Sequence, residues 1–397
     1  MKVGYDNDRY YNERNIIGIV PDAQYVRLND IHKIKRRVLG QINLRLHRRI
    51  FDTAAPQTRF ADFGLNRVDL MHFFNIVSFS KRPWITTFET VVPRFACVLS
   101  CHQGRDCGYS SLIGEPNIRK ALEAMSGDAC KKLIAMSMCN IGLQKDLLQN
   151  FPEYRSEIEL KLTCLHPPQP IFVDDYDSKR LSPDGQIRFM FVGAAFFRKG
   201  GAEILEVLQE ARRTRYHDLK LIIVSSLAID DYATKETKDD VARAKRFIAE
   251  NSDWIEYHAR LENEQVIALM KSAHVGLLPT YADTYGYSLL EFQAAGCPVI
   301  STDVRALPEI NNNAAGWVIE VPKNRFGEAI YTTPEDRAEI SHAIKTGLAR
   351  AIAEILENRD LIQRKASAAI QRIRNNHSPT EFARRLGEVY RQALQGT

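Results

Sequence analysis

The sequence has no run of 18 apolar residues, no low-complexity tract and no internal repeat. The first absence excludes a helix that spans a bilayer; the other two exclude fibrous and repeat-array architectures. The opening stretch, MKVGYDNDRYYNERN, lacks the apolar centre of a secretory signal. Seven cysteines make an odd count. Their spacings match no disulfide framework and no zinc pattern, even where Cys97, Cys101, His102 and Cys107 crowd together. Reduced thiols and a cytoplasmic protein are expected. Asp6-Asn7-Asp8 has the form of a metal-binding D-x-D triplet, but such short matches are common and this one lies close to the amino terminus, so no metal is expected.

What is present is an ordinary globular composition: 397 residues, 45% hydrophobic and 26% charged. That length suggests two domains. A net charge of +5 suits anionic small molecules or a membrane surface, and is too weak to argue for nucleic acid.

Apolar runs alternate with helix-period stretches. VDLMHFF (68–74), WITTF (84–88), KLIAMSMC (132–139) and KLTCLH (161–166) read as short buried strands, with PNIRKALEAM as a helix among them. Residues 166–185 are rich in proline and aspartate and read as an extended linker. A second series follows: strands at 187–193, 219–226 and 274–279, and helices at 200–213 and 263–273. Ligands of such sheets bind beyond the carboxyl ends of the strands. The chain closes on a helix, 378–394, whose Phe382, Leu386, Val389 and Ala393 form one apolar stripe. The domains are read as 1–170, a linker at 171–186, 187–377, and a closing helix at 378–397 that packs back on the first domain.

PTYADTYGYSLLEFQAAGCPVIS (279–301) sets two carboxylates, Asp283 and Glu291, around a glycine and a helix start. Asp283 is expected in the loop and Glu291 in the first turn of the helix. A helix amino terminus offers amide donors and partial positive charge to an anion, and Gly286 lets backbone approach it. The plainer reading of Ser288-Leu-Leu-Glu291 is a capping box, and of Asp283 a turn residue.

Segment 279–310, with its two acids separated by seven residues, alanine-rich helix, G-x-P-V strand and Pro308-Glu309, resembles the donor site of the family 4 retaining glycosyltransferases. FMFVGAAFFRKGG resembles that family's first strand and basic loop, and EFARRLGEVY its closing helix. The resemblance implies the GT-B fold, two Rossmann-like α/β domains facing each other across a cleft. It implies that Glu291 holds the nucleoside ribose and that Asp283, where the family usually has glutamate, contacts the transferred sugar. Tyr285, Gly286, Tyr287 and Ser288 form the phosphate-facing turn. Lys199 meets the diphosphate, Gly193 ends the strand before it, and Arg198 substitutes for an arginine that the family places where Ala194 stands here. Ala259, Arg260 and Leu261 fall where backbone contacts the base. Glu89 stands where the family has an active-site histidine. It serves either as an active-site acid or as an unrelated surface acid. Asp283, Glu89 and Lys199 are the expected catalytic set. His72 reads as a satisfied core histidine.

Residues 31–51 carry seven Lys or Arg and no acid, with Ile34, Val38, Ile42, Leu46 and Ile50 at four-residue spacing. This is either a core-packed helix whose solvated basic face suits an anionic acceptor or a surface for anionic lipid. The expected function is transfer of a hexose-type sugar, with retention and without a metal, from a nucleotide-diphosphate sugar to a glycan or lipid-linked acceptor, in cell-surface polysaccharide or glycolipid synthesis. No cofactor is expected beyond that co-substrate. A nucleotide-sugar epimerase of the same fold and a non-catalytic nucleotide-sugar binder remain the alternatives.

Overall fold

The computed structural model describes residues 1–46, 48, 50, 58–62, 64–176, 185–214, 218–230 and 232–395; at 32–37 it describes the backbone. Parts of the linker and of segment 31–51, and the last two residues, lie outside that set. The chain divides into two compact units: Met1–His102, Cys107–Pro168 and Pro379–Thr397 form the first, Gln103–Asp106 and Gln169–Ser378 the second.

The first unit holds strands β1 (Lys2–Tyr5), β2 (Gln24–Arg27), β3 (Arg59–Phe60), β4 (Leu70–Phe74), β5 (Val77–Ser78), β6 (Trp84–Phe88), β7 (Cys130–Ala135) and β8 (Leu162–Cys164). Six of them make one parallel sheet in the order β2-β1-β4-β6-β7-β8, and β3 pairs with β5. LMHFF and WITTF are buried throughout, as strands covered on both faces must be. The strand read at 132–139 begins and ends earlier, at Cys130–Ala135. Ser137 stops it: its side chain accepts from the Asn140 amide and caps a helix, Met138–Leu148. The closing helix, Pro379–Gln395, places Phe382, Leu386, Val389, Tyr390 and Ala393 in one core with Val3, Val20, Leu70, Ile85, Ile134 and Leu165.

The second unit holds β9 (Ile187–Val192), β10 (Leu219–Val224), β11 (Ile255–His258), β12 (Val275–Leu278), β13 (Val299–Thr302) and β14 (Gly316–Ile319). All are parallel, in the order β11-β10-β9-β12-β13-β14. Chain order reverses between β9 and β12. Loops leaving these two neighbours diverge to opposite faces and leave a crevice at their carboxyl ends.

Candidate functional site

The loops that leave β9 and β12 carry most of the expected donor residues. After β9 the chain turns tightly: Lys199 N donates to Ala195 O at 3.1 Å, and Gly201 N to Phe196 O at 2.9 Å, where the helix Gly201–Thr214 starts. Gly193 lies at the strand tip, and a Cβ there would stand 2.5 Å from Lys199 Cδ. The missing side chain is what lets Lys199 fold back over the strand end.

Lys199 Nζ meets Asp283 Oδ2 at 2.9 Å, with the two side chains 16% and 13% exposed. The other carboxylate oxygen, Oδ1, accepts from Gly286 N at 2.9 Å and Tyr285 N at 3.3 Å. Asp283 is therefore a turn residue and an ion-pair partner at once. Burial works against its charged form, but the Lys199 ammonium beside it, with help from Arg198 and the Tyr285 amide, outweighs burial and holds the carboxyl below its ordinary value.

Arg198 points elsewhere. Its Nε donates to Asp230 Oδ2, and its Nη1 to Ala282 O at 2.6 Å. Its own carbonyl accepts from Tyr281 N at 2.9 Å and Thr280 Oγ1 at 3.1 Å. Arg198 thus stitches the β9 loop to the β12 loop. Thr280, Tyr281 and Asp230 complete that stitching. Nothing in the sequence points to them: Thr280 and Tyr281 bond a backbone carbonyl, and Asp230 lies in a separate loop with no motif of its own.

The helix after β12 spans Tyr287–Ala294. Its N-cap is Gly286, at φ 90° and ψ 52°, with no side-chain cap. A Cβ at Gly286 would lie 2.5 Å from Leu307 Cδ2. With the cap at 286, the third helical residue is Leu289, so the capping box between Ser288 and Glu291 does not form. Glu291 is the fifth helical residue, in the second turn rather than the first, and is half-buried. Ser288 Oγ is buried and finds no hydrogen-bond partner among the described residues. Tyr285 is buried, its ring 5.7 Å from that of Tyr287. Arg260, exposed, and Leu261, half-buried, follow β11 at the sheet edge, at the same carboxyl end of the sheet as Lys199 and Asp283.

In the first unit, Glu89 follows β6 and is paired with Arg94, Nη2 to Oε1 at 3.3 Å. His72 is fully buried; its Nε2 bonds Thr87 Oγ1 and its Nδ1 bonds Tyr390 OH, each at 2.8 Å. None of the seven cysteines is in a disulfide. His102 Nε2 bonds Tyr109 OH at 2.8 Å. No helix among the described residues is long and apolar enough to cross a membrane.

Residues 172–347 match the family model for glycosyl transferases group 1. Glycogen synthase of Mycobacterium tuberculosis (strain CDC 1551 / Oshkosh) is 22% identical over 306 residues, 77% of this chain and 64% of that protein. Two solved structures share the fold. A glycosyltransferase from Rickettsia africae ESF-5 superimposes with a TM-score of 0.55 at 16% identity, covering 95% of this chain and 86% of the other. HepE of Anabaena, solved in complex with UDP-glucose, superimposes with a TM-score of 0.54 at 12% identity, covering 98% and 99%. The fold is GT-B, and the match to the group 1 glycosyl transferase model lies within its second unit.

Proposed function

We propose that the protein transfers a hexose-type sugar from a nucleotide-diphosphate sugar to a hydroxyl of a glycan or lipid-linked acceptor, with retention of anomeric configuration and without a metal. The observation that carries the reading is the Lys199–Asp283 pair at 2.9 Å, set where chain order reverses and beside a helix whose amino terminus has no side-chain cap. A departing nucleoside diphosphate gains negative charge as the glycosidic bond breaks. An ammonium and helix amides fixed beforehand at that place stabilise it without reorganisation. Lys199 supplies the charge, and the turn Tyr285–Ser288 supplies the amide end. Glu291, one turn deeper on the same helix, takes the ribose hydroxyls, for which a carboxylate is suited as a pure acceptor. Asp283 takes a hydroxyl of the transferred sugar once the phosphate draws Lys199 away from it. Arg198 holds the two loops together and does not meet the phosphate. The base lies against the backbone at Ala259–Leu261.

A thermal-shift panel of UDP-, GDP-, ADP- and dTDP-sugars tests this, followed by turnover of the best donor with and without EDTA. The expected result is one preferred nucleotide, slow release of its diphosphate in water, unchanged rate with EDTA, and a retained anomer in any product. Epimerised donor with no transfer would instead assign an epimerase. Absence of any shift across the panel refutes nucleotide-sugar binding altogether.

A further inference from the structure

Asn75, the residue after β4, has φ of 59°, in the left-handed region that asparagine tolerates better than most side chains. The turn aims its amide back at the neighbouring strand tip. Asn75 Oδ1 accepts from Glu89 N at 3.1 Å, and Asn75 Nδ2 donates to Glu89 Oε1 at 3.2 Å. Arg94 Nη2 reaches the same oxygen at 3.3 Å. The backbone of Glu89 is held as well, its carbonyl accepting from Asn140 Nδ2 at 2.8 Å. The side chains of Glu89 and Arg94 are 19% and 31% exposed, so the pair is shielded yet reachable. On the other side of β4, at the tip of β1, Asp6 is 2% exposed and accepts from Asn12 Nδ2 at 3.0 Å. The carboxyl ends of three adjacent strands, β1, β4 and β6, therefore carry two oriented carboxylates and one guanidinium, and the guanidinium is engaged by Glu89.

We propose that Asn75 and Arg94 are positioning residues that hold Glu89 to bind a hydroxyl of an uncharged sugar acceptor. The inference rests on the glycosyltransferase reading above. A carboxylate accepts and never donates, so its fitting partner is an O–H group. A phosphate or carboxylate on the acceptor would meet the Glu89 carboxylate with the Arg94 guanidinium already engaged, and the buried Asp6 two strands away adds like charge. The place where the resembling family has histidine, which both donates and accepts, is filled here by a pure acceptor. The side chain of Asn75 fixes its direction twice, through Glu89's amide and through its carboxylate. Such double tethering is what distinguishes a prepared binding group from a surface acid.

The test exploits the backbone at residue 75. Asn75→Gly keeps the left-handed turn at no steric cost and removes the amide. Saturation-transfer NMR on the full chain, with the nucleoside diphosphate that binds best in the panel above, would use the methyl glycosides of glucose, galactose and mannose as neutral probes and glucose 6-phosphate as the anionic one. At least one neutral glycoside should receive saturation and glucose 6-phosphate none. Asn75→Gly and Glu89→Gln should each weaken that neutral probe about tenfold, the scale of losing a hydrogen bond to a charged group. Nucleotide affinity of Asn75→Gly should stay at the wild-type value, while its melting temperature falls modestly with the two hydrogen bonds lost. Preference for glucose 6-phosphate, no saturation of any neutral glycoside, or an unchanged neutral signal in Asn75→Gly each overturns the proposal. Failure of every nucleotide to bind overturns the donor reading instead and is seen separately.

Discussion

His72 and Tyr390 are hydrogen-bonded at 2.8 Å, Nδ1 to OH, although 318 residues separate them, and both are fully buried. The imidazole sits on β4 and the phenol on the closing helix, so this bond pins the end of the chain to the first sheet. Burial lowers the His72 pKa from 6.5 to about 3. Between those values the unfolded chain binds a proton that the folded chain refuses, so stability rises with pH across that window and falls as pH drops through it. The slope from this one group is about 1.4 kcal/mol per pH unit. Urea unfolding of the full chain at pH 7, 6, 5 and 4 should show that decline, and His72→Gln should flatten it. An equal slope in the variant would show that other groups carry the acid sensitivity.

Removing Lys199 has two separable consequences. In Lys199→Met the Asp283 carboxylate, 13% exposed, loses its counter-ion. Breaking a fully buried pair costs about 3–5 kcal/mol, and this one is partly solvated, so about 2 kcal/mol is expected. Turnover should fall by about 100-fold or more through loss of leaving-group stabilisation. The double variant Lys199→Met/Asp283→Asn should regain most of the stability and none of the turnover. Recovery of turnover in the double variant would show that Lys199 only balances Asp283. Because Asp283 titrates below its ordinary value, the pair's contribution is complete above the usual carboxylate range and is lost as pH falls through the depressed value.

Glu291 separates ligand from scaffold. It sits at the fifth position of its helix, beyond reach of a capping box. Glu291→Ala therefore removes no helix cap. Nucleotide affinity, measured by calorimetry, should fall about tenfold or more, because a carboxylate that accepts from ribose hydroxyls makes charge-assisted bonds. A large drop in melting temperature with nucleotide affinity unchanged would return Glu291 to a structural role.

How far the sequence carries depends on which physical signal each residue uses. WITTF was read as the strand that forms, because a strand covered on both faces must be apolar without interruption. At 132–139 the apolar run continued past the strand, and the Ser137 cap that divides it is one hydroxyl among apolar neighbours. β1 and β2 went unread; they are four residues each, with partly exposed positions that leave no clean period. The turn at Asp283 was legible because an acid, a glycine and a helix start stand in close succession. The commitment of Arg198 to Asp230 and Ala282 was not legible, since it depends on a loop 32 residues away in sequence and on a backbone carbonyl. Asn75 was hidden for the same reason: its left-handed φ and its tether to Glu89 exist only once β4 and β6 lie side by side.

The basic segment in the first unit gives the last prediction. The helix Ile31–Arg45 has no acid in its first turn, and Val38, Leu44, Leu46 and Ile50 are 50%, 74%, 54% and 53% exposed. Exposed aliphatic side chains in a segment whose sequence carries seven Lys or Arg and no acid suit the interface of an anionic bilayer, where each cation near the surface contributes about 1 kcal/mol and inserted methylenes add to it. The protein should sediment with phosphatidylserine-containing vesicles at low salt, remain in solution with purely phosphatidylcholine vesicles, and be released as salt shortens the reach of the charges. Leu44→Ser/Leu46→Ser should weaken binding to the anionic vesicles while leaving its salt dependence in place, since the apolar and electrostatic contributions act independently. Equal sedimentation with neutral vesicles would remove the charge argument, and an unaffected double variant would remove the apolar one. If both hold, a lipid-linked acceptor would meet the enzyme at the surface where the enzyme itself is concentrated.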